Sequence, residues 1–232
     1  MAKRSVFKVS DSPEKYIEKI DVEFKWYPGF SVSQKQKSIK ELHCNYKKIY
    51  SNDDILEVSS KSENELGIKL SAFNLIINTK DNRTFSVESA FQSSKKFELG
   101  GPYIDILNKT SREAKKDPRL KDSGKLVAFE FYKKRWSLEP KTLFYDWLYI
   151  RALYKNSDLS KEILQYNAFT DIEFNPEKSI NCQANSAALF VALNKRNILD
   201  YAMESIDNYI KAITDITGNS PVKEKKQINF FD

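Results

Sequence analysis

The sequence predicts one α+β domain, predominantly helical, with short β-hairpins. Three observations carry that expectation. No stretch rich in proline, glycine and serine divides the 232 residues, and a chain of that length can bury one sizeable core. Apolar residues recur at helical spacing through most of the longer segments. Between them lie short alternating runs bounded by turn residues. The domain is expected over residues 1–217, with residues 218–232 as a flexible tail.

Taken in order, Met1–Ile20 is polar and holds a helix-like piece, Ser12–Ile20. Val22–Phe30 alternates and ends in Tyr-Pro-Gly, a strand entering a turn flanked by Trp26 and Phe30. Ser33–Tyr50 carries the apolar stripe Ile39, Leu42, Tyr46 and Ile49 and is expected to be helical. Lys35 lies near the start of that helix, where the dipole opposes a cation. Either an anionic ligand offsets it or the helix begins two or three residues away. Ile55–Ser60 reads as a strand and Lys61–Gly67 as a polar connection.

Leu70–Phe97 is the stretch around which the rest of the chain is organised. Phe73–Ile77 alternates, Lys80–Arg83 makes a turn, and a helix begins at the N-cap Ser86, with Glu88 in its first turn. At about 100° per residue, Val87, Ala90, Ser94 and Phe97 share one face, beside a strip of Glu88, Phe91, Gln92 and Lys95. Gly100-Gly101-Pro102-Tyr103 comes next; its glycines either let backbone amides approach a phosphate or simply end the helix. Tyr103–Lys116 is expected to be a helix carrying Arg112, stopped by Asp117-Pro118. Lys125–Leu138 alternates as a hairpin. Pro140 opens an aromatic helix over Lys141–Lys155, and Asp158–Asn167 is another. Phe169–Ile180 breaks the helical period and presents Asp171 and Glu173 on an extended segment ahead of an Asn181–Lys195 helix. Leu199–Ile216 closes the domain as an amphipathic helix.

Hydrophobic content of 41% with 13% aromatic is that of a globular chain, and the net charge is +6. The charge is uneven. Lys25–Lys48 holds six lysines against Glu41 alone, and Lys109–Lys125 seven basic residues against three acidic. Such clusters suit phosphate, although lysines on amphipathic helices are also an ordinary solvated face. One histidine and two distant cysteines, Cys44 and Cys182, exclude a disulfide framework and any familiar metal-ligand spacing. No apolar run is long enough to span a membrane, so a cytoplasmic protein without metal or cofactor is expected.

Glu88-x-x-Phe91-Gln92 followed by Lys95-Lys96-Phe97, and preceded by Ser71-Ala72-Phe73 and a hairpin, resembles the signature of the NADAR (YbiA-like) family. One extra residue before Phe97 leaves Lys95 and Lys96 as alternatives for the family lysine, of which helical spacing favours Lys95. Trp26-Tyr27-Pro28-Gly29-Phe30 with Gln34–Lys37, Gly100–Tyr103, Arg112–Lys115, Leu138–Thr142 with Tyr145-Asp146-Trp147, and Asp171–Pro176 leading to Asn181–Ala184 are similar to the subgroup that accompanies DarT-type toxins.

The resemblance implies a YbiA-like multihelical fold and an antitoxin that hydrolyses ADP-ribose from guanine in DNA, the modification made by a DarT-type toxin. ADP-ribose would be substrate and product, with no cofactor, and ADP-ribosylated DNA and the toxin the partners. Breaking an N-glycosidic bond through an oxocarbenium-like state needs a carboxylate near the anomeric carbon and help for the departing base. Glu88 and Asp171 are the candidates, in either order. Lys35 first, and Lys95 second, would bind pyrophosphate or attack the sugar. Trp26, Phe30, Tyr103 and Trp147 would stack on guanine or adenine. Gly29, Lys37, Ser71, Phe73, Phe91 and Gln92 would complete one side of the substrate site. Gly101, Arg112, Tyr145, Glu173, Asn181 and Asn185 would complete the other. Two alternatives remain: a metabolic N-glycosidase acting on riboflavin-pathway intermediates, or an antitoxin that binds ADP-ribose or toxin without turnover.

Overall fold

A computed structural model describes residues 1–79, 81–175 and 179–214. Among them helices and three sheets are mixed, with more strand than short hairpins alone would supply. β1 (Ala2–Val9) and β2 (Ile17–Phe24) pair antiparallel along their whole length, Ala2 opposite Phe24. This corrects the helix-like reading of Ser12–Ile20. Ile20, Val22 and Phe24 alternate with charged residues, and β1 supplies the partner that makes that period-2 pattern prevail.

The helix α1 (Val32–Lys47) starts where Ser31 accepts a hydrogen bond from the Gln34 N–H, so Lys35 does sit in its first turns. Its stripe of Ile39, Leu42 and Tyr46 packs on Val6, Val22 and Phe24 as a small second core. β3 (Ile55–Glu57) follows, and α2 (Glu65–Lys69), capped by Asn64, occupies the expected polar connection. β4 (Ile76–Asn78) and β5 (Thr84–Ser86) form the hairpin, shorter than expected because Phe73–Leu75 turns.

Ser86 caps α3 (Val87–Ser93), and all seven residues of this helix are buried. The helix ends there: β6 (Lys95–Phe97) departs as a strand and pairs with β7 (Leu126–Phe131), itself hairpinned to β8 (Lys134–Trp136). The expected single helix over Tyr103–Lys116 is instead a 3-10 turn, Ile104–Asn108, and a short α4 (Ser111–Lys115). Thr110 starts α4 with a capping box to Glu113, which requires extended backbone at Thr110 and so interrupts any helix through it. α5 (Arg119–Asp122) comes next.

α6 (Leu143–Tyr154) and α8 (Gln183–Lys195) are apolar nearly all round and form the centre of the main core. α7 (Ser157–Ile163) leads between them into β9 (Ala168–Thr170). α9 (Leu199–Glu204) and α10 (Ile206–Thr214) replace one closing helix, because Ser205 is extended. The end of that expected helix and the 218–232 tail lie outside the described residues.

β9 inserts between β1 and β3, antiparallel to the first and parallel to the second. Phe169 belongs to the main core, while Ala168 and Ile172 belong to the small one. Asp171 therefore leaves the sheet at the seam where the two cores meet.

Candidate active site

The short turn before β4 links the two acidic residues chosen from the sequence, through the backbone of Glu88 and the side chain of Asp171. The Ala72 carbonyl accepts the Glu88 N–H at 2.9 Å. The Ala72 N–H donates to Gln183 Oε1 at 2.7 Å, and the same Gln183 side chain hydrogen-bonds the Asp171 carboxyl. One backbone residue and one side chain thus bridge the start of α3 to the end of β9. Gln183 was not named as a site residue from the sequence; the signal it offered was its place in the family-like stretch Asn181–Ala184.

Glu88 is buried, and Gln92 Nε2 donates to its Oε1 at 2.9 Å. Phe91 packs edge-on against Tyr145 with ring centroids 5.1 Å apart, and the Lys95 ammonium lies 5.0 Å over the Phe91 ring. Burial pulls the Lys95 ammonium below the ordinary lysine value; Glu88 opposes that shift and Lys115 reinforces it. Burial pushes the Tyr145 hydroxyl well up, and the charges of Glu88 and Asp171 both add to the effect. Tyr145 thus feels both acids. Burial likewise pushes Asp171 well above the ordinary aspartate value, with Glu57 the next cause.

Three buried polar atoms of this neighbourhood, Ser71 Oγ, Gln92 Oε1 and Asn181 Oδ1, have no hydrogen-bond partner among the described residues. Each such atom costs about 1–3 kcal/mol unless something satisfies it. All three belong to residues expected from the sequence to bind substrate.

A cleft of ≈ 410 Å³, whose lining includes Phe73, Asn74, Lys61, Arg112, Lys115 and Glu173 but neither Glu88 nor Asp171, reaches this neighbourhood through Phe73 and Glu173. Lys61, Arg112 and Lys116, all in its lining, make no ion pair among the described residues, and Lys115 rests 5.3 Å over the Phe73 ring. Glu173 is paired with Lys35 at 3.2 Å, and Lys35 stacks 4.6 Å over Trp26. The dipole-opposed lysine of α1 is thus held by an acid and an aromatic ring from elsewhere in the chain.

Farther along this edge, Arg4 lies 5.3 Å from the Trp26 ring, and Lys25 and Lys37 lie 5.0 and 6.0 Å from Tyr27. Phe30 is 100% exposed at the tip of the turn, where Gly29 has φ +128°.

Other expected site residues are spent on the protein itself. Trp147 is buried and packs 4.9 Å from Trp136 in the aromatic core. Asn185 turns to Asp146 at 3.5 Å. The Tyr103 hydroxyl bonds Ser123 and its ring lies 4.4 Å under Arg119. Gly101, at φ +73°, backs onto Lys95: a Cβ there would stand 2.3 Å from the Lys95 carbonyl oxygen. The glycine loop's close approach is therefore to β6, and it supports Lys95 from behind.

Among the described residues no helix is long and apolar enough to cross a membrane. A family described as DarT1-associated NADAR antitoxin matches residues 2–223. No curated protein matches the chain.

Proposed function

This chain belongs to the DarT1-associated NADAR antitoxins, and from that premise we propose that it hydrolyses the N-glycosidic bond between ADP-ribose and guanine in DNA. The observation that carries this reading is the Glu88–Ala72–Gln183–Asp171 bridge, which ties the backbone of buried Glu88 to the carboxyl of half-buried Asp171.

The two acids differ in environment. Asp171, with its proton affinity raised by burial and by Glu57, is suited to give a proton to the departing base nitrogen. Glu88, oriented by the Gln92 amide, is suited to take a proton from the group that attacks the anomeric carbon and to face the developing positive charge on the ribose.

The lysines separate in the same way. Lys95 is half-buried with a loosened proton, a state suited to nucleophilic attack on the sugar. Lys35, anchored by Glu173 and Trp26, is suited to a phosphate oxygen as a point charge. This reverses the order in which the sequence ranked them.

Four cations around one cleft suit the pyrophosphate of ADP-ribose, and the Trp26–Phe30 turn, with its lysines over tyrosine and tryptophan rings, suits bases and phosphates of a strand beyond it. A small metabolic nucleotide has no use for that second surface. The test is incubation with an oligonucleotide ADP-ribosylated on guanine, following ADP-ribose release by chromatography. Release from that substrate is expected. Release only from a free riboflavin-pathway nucleotide would transfer the reading to metabolic glycosidase chemistry, and tight binding without release would make the protein a sequestering antitoxin. Borohydride added during turnover is expected to trap a protein–sugar adduct that is lost in Lys95→Ala and kept in Lys35→Ala.

A further inference from the structure

Glu57 lies on β3, paired in parallel register with Thr170 of β9, and is 2% exposed. Its Oε2 accepts the Thr170 hydroxyl at 2.6 Å and its Oε1 accepts the Ile172 N–H at 2.8 Å. A single carboxyl therefore grips the residue before Asp171 and the residue after it. His43, from α1, extends the chain: its Nε2 is 2.8 Å from Thr170 Oγ1. With the threonine proton directed at Glu57, that nitrogen is the donor. Burial pulls the His43 imidazole down to about 4, so it is neutral in ordinary buffers.

The Asp171 carboxyl accepts the Glu173 N–H at 3.0 Å and the Gln183 amide. The groups facing it are Glu57 from β3, Glu173 from its own segment, Tyr145 and Tyr149 from α6, and Cys182 beside Gln183 at the start of α8. Lys35 of α1 stands next in this group, its ammonium paired with Glu173 at 3.2 Å. With that cation committed to Glu173, the two interacting acids Glu57 and Asp171 do not both ionise readily.

We propose that Glu57 is a positioning residue: it fixes the Asp171 carboxyl at the seam of the two cores and, by its own charge, keeps on Asp171 the proton that the departing guanine needs. This rests on the role given to Asp171 above. Burial pushes both acids up. The Ile172 N–H and the Ser59 and Thr170 hydroxyls favour the charged form of Glu57, and the Glu173 N–H and Gln183 amide that of Asp171, but Asp171 is the one pushed well above its ordinary value, with the Glu57 charge as the next cause after burial. In the reaction the Asp171 proton passes to the guanine nitrogen as the bond from that nitrogen to the ribose C1′ breaks, the bonding pair staying on nitrogen. The Lys95 amine then bonds to C1′ and yields a proton to Glu88; water afterwards adds to C1′ as the carbon–nitrogen bond to Lys95 breaks, a proton returning to the lysine, and ADP-ribose is released.

The test compares pH profiles of kcat/KM for the wild type and Glu57→Gln on the ADP-ribosylated oligonucleotide. The amide keeps an acceptor for one of the two bonds and removes the charge. The alkaline limb is expected to move down by at least one pH unit, a tenfold or greater loss on the alkaline side with the acid side changed little. A uniform loss at every pH, with the limb unmoved, would mean a merely structural role and overturn the proposal. A second measurement needs neither turnover nor a folded variant at position 57. Infrared difference spectra of the wild type against Asp171→Asn at neutral pH are expected to show a protonated-carboxyl band that the substitution removes; its absence from the wild type overturns the proposal. If the wild type releases no ADP-ribose, the hydrolase reading fails on that result alone, and the infrared band still decides whether the pair holds a proton.

Discussion

Glu88 and Asp171 were both legible as candidates from the sequence, Glu88 through the family-like motif around it and Asp171 through the break in helical period that precedes α8. Their contrasting environments were not. Replacing Glu88 by Gln is expected to lower turnover by about a thousandfold, the scale of a lost general base, while ADP-ribose affinity changes little. Chromatographic assay beside calorimetric titration checks both halves, and undiminished turnover would remove Glu88 from the chemistry. For Asp171 the sign follows from its raised pKa: the protonated form is present below that pKa and is lost as pH rises through it. The wild-type rate is therefore expected to fall toward alkaline pH and to hold at mildly acidic pH. Glu57 stood in the sequence as one glutamate of a strand with nothing to distinguish it, and Gln183 as an amide inside the family-like stretch Asn181–Ala184 with no role attached.

At the scale of elements, the Trp26–Phe30 turn and the glycine loop behave in opposite ways. The first projects outward, with Phe30 fully exposed and lysines over its neighbours' rings. Phe30→Ala combined with Lys37→Ala is expected to weaken oligonucleotide binding several-fold and to flatten its dependence on salt by about one phosphate contact, while hydrolysis of an ADP-ribosylated mononucleoside is retained. Fluorescence anisotropy across a salt series reads this; equal loss on both substrates would place the turn inside the catalytic pocket. The second folds inward, and Gly101→Ala sets a Cβ against the Lys95 carbonyl in a left-handed backbone. Its cost is expected at about 2 kcal/mol or more, seen as a lowered melting temperature together with reduced turnover, because β6 carries Lys95. Helical periodicity identified α3 correctly but ran on into Lys95–Phe97. The reason is that β7 offers this segment a ladder of hydrogen bonds, which a window along the chain does not register.

For the molecule as a whole, the contact between α6 and α8 contains its own pH dependence. Asp146 is buried there, accepting from Ser186 Oγ at 2.5 Å, and burial raises its carboxyl from the ordinary 3.8 to about 6. A carboxyl raised in the folded state binds its proton more tightly there than in the unfolded chain. Its contribution is therefore complete below pH ~4 and is lost as pH climbs through ~6, roughly 3 kcal/mol at 1.36 kcal/mol per pKa unit. Asp146→Asn is expected to be more stable than the wild type at pH 7–8 and to erase that difference near pH 4, by denaturant melts across pH; parallel curves would show that Asp146 does not titrate in this window. The sequence by itself determined the mixed class, the hairpins before α3 and within Lys125–Leu138, and the capping of α3 by Ser86, since each is written in spacings of a few residues. The tertiary structure alone decided that β9 would thread between β1 and β3, that Ala72 and Gln183 would tie Glu88 to Asp171, and that Glu57 would clamp the backbone around it. Those bonds join residues 111, 113 and 115 positions apart. A contact closed over that length of chain obeys no period, because only the packing of the two cores brings its ends together.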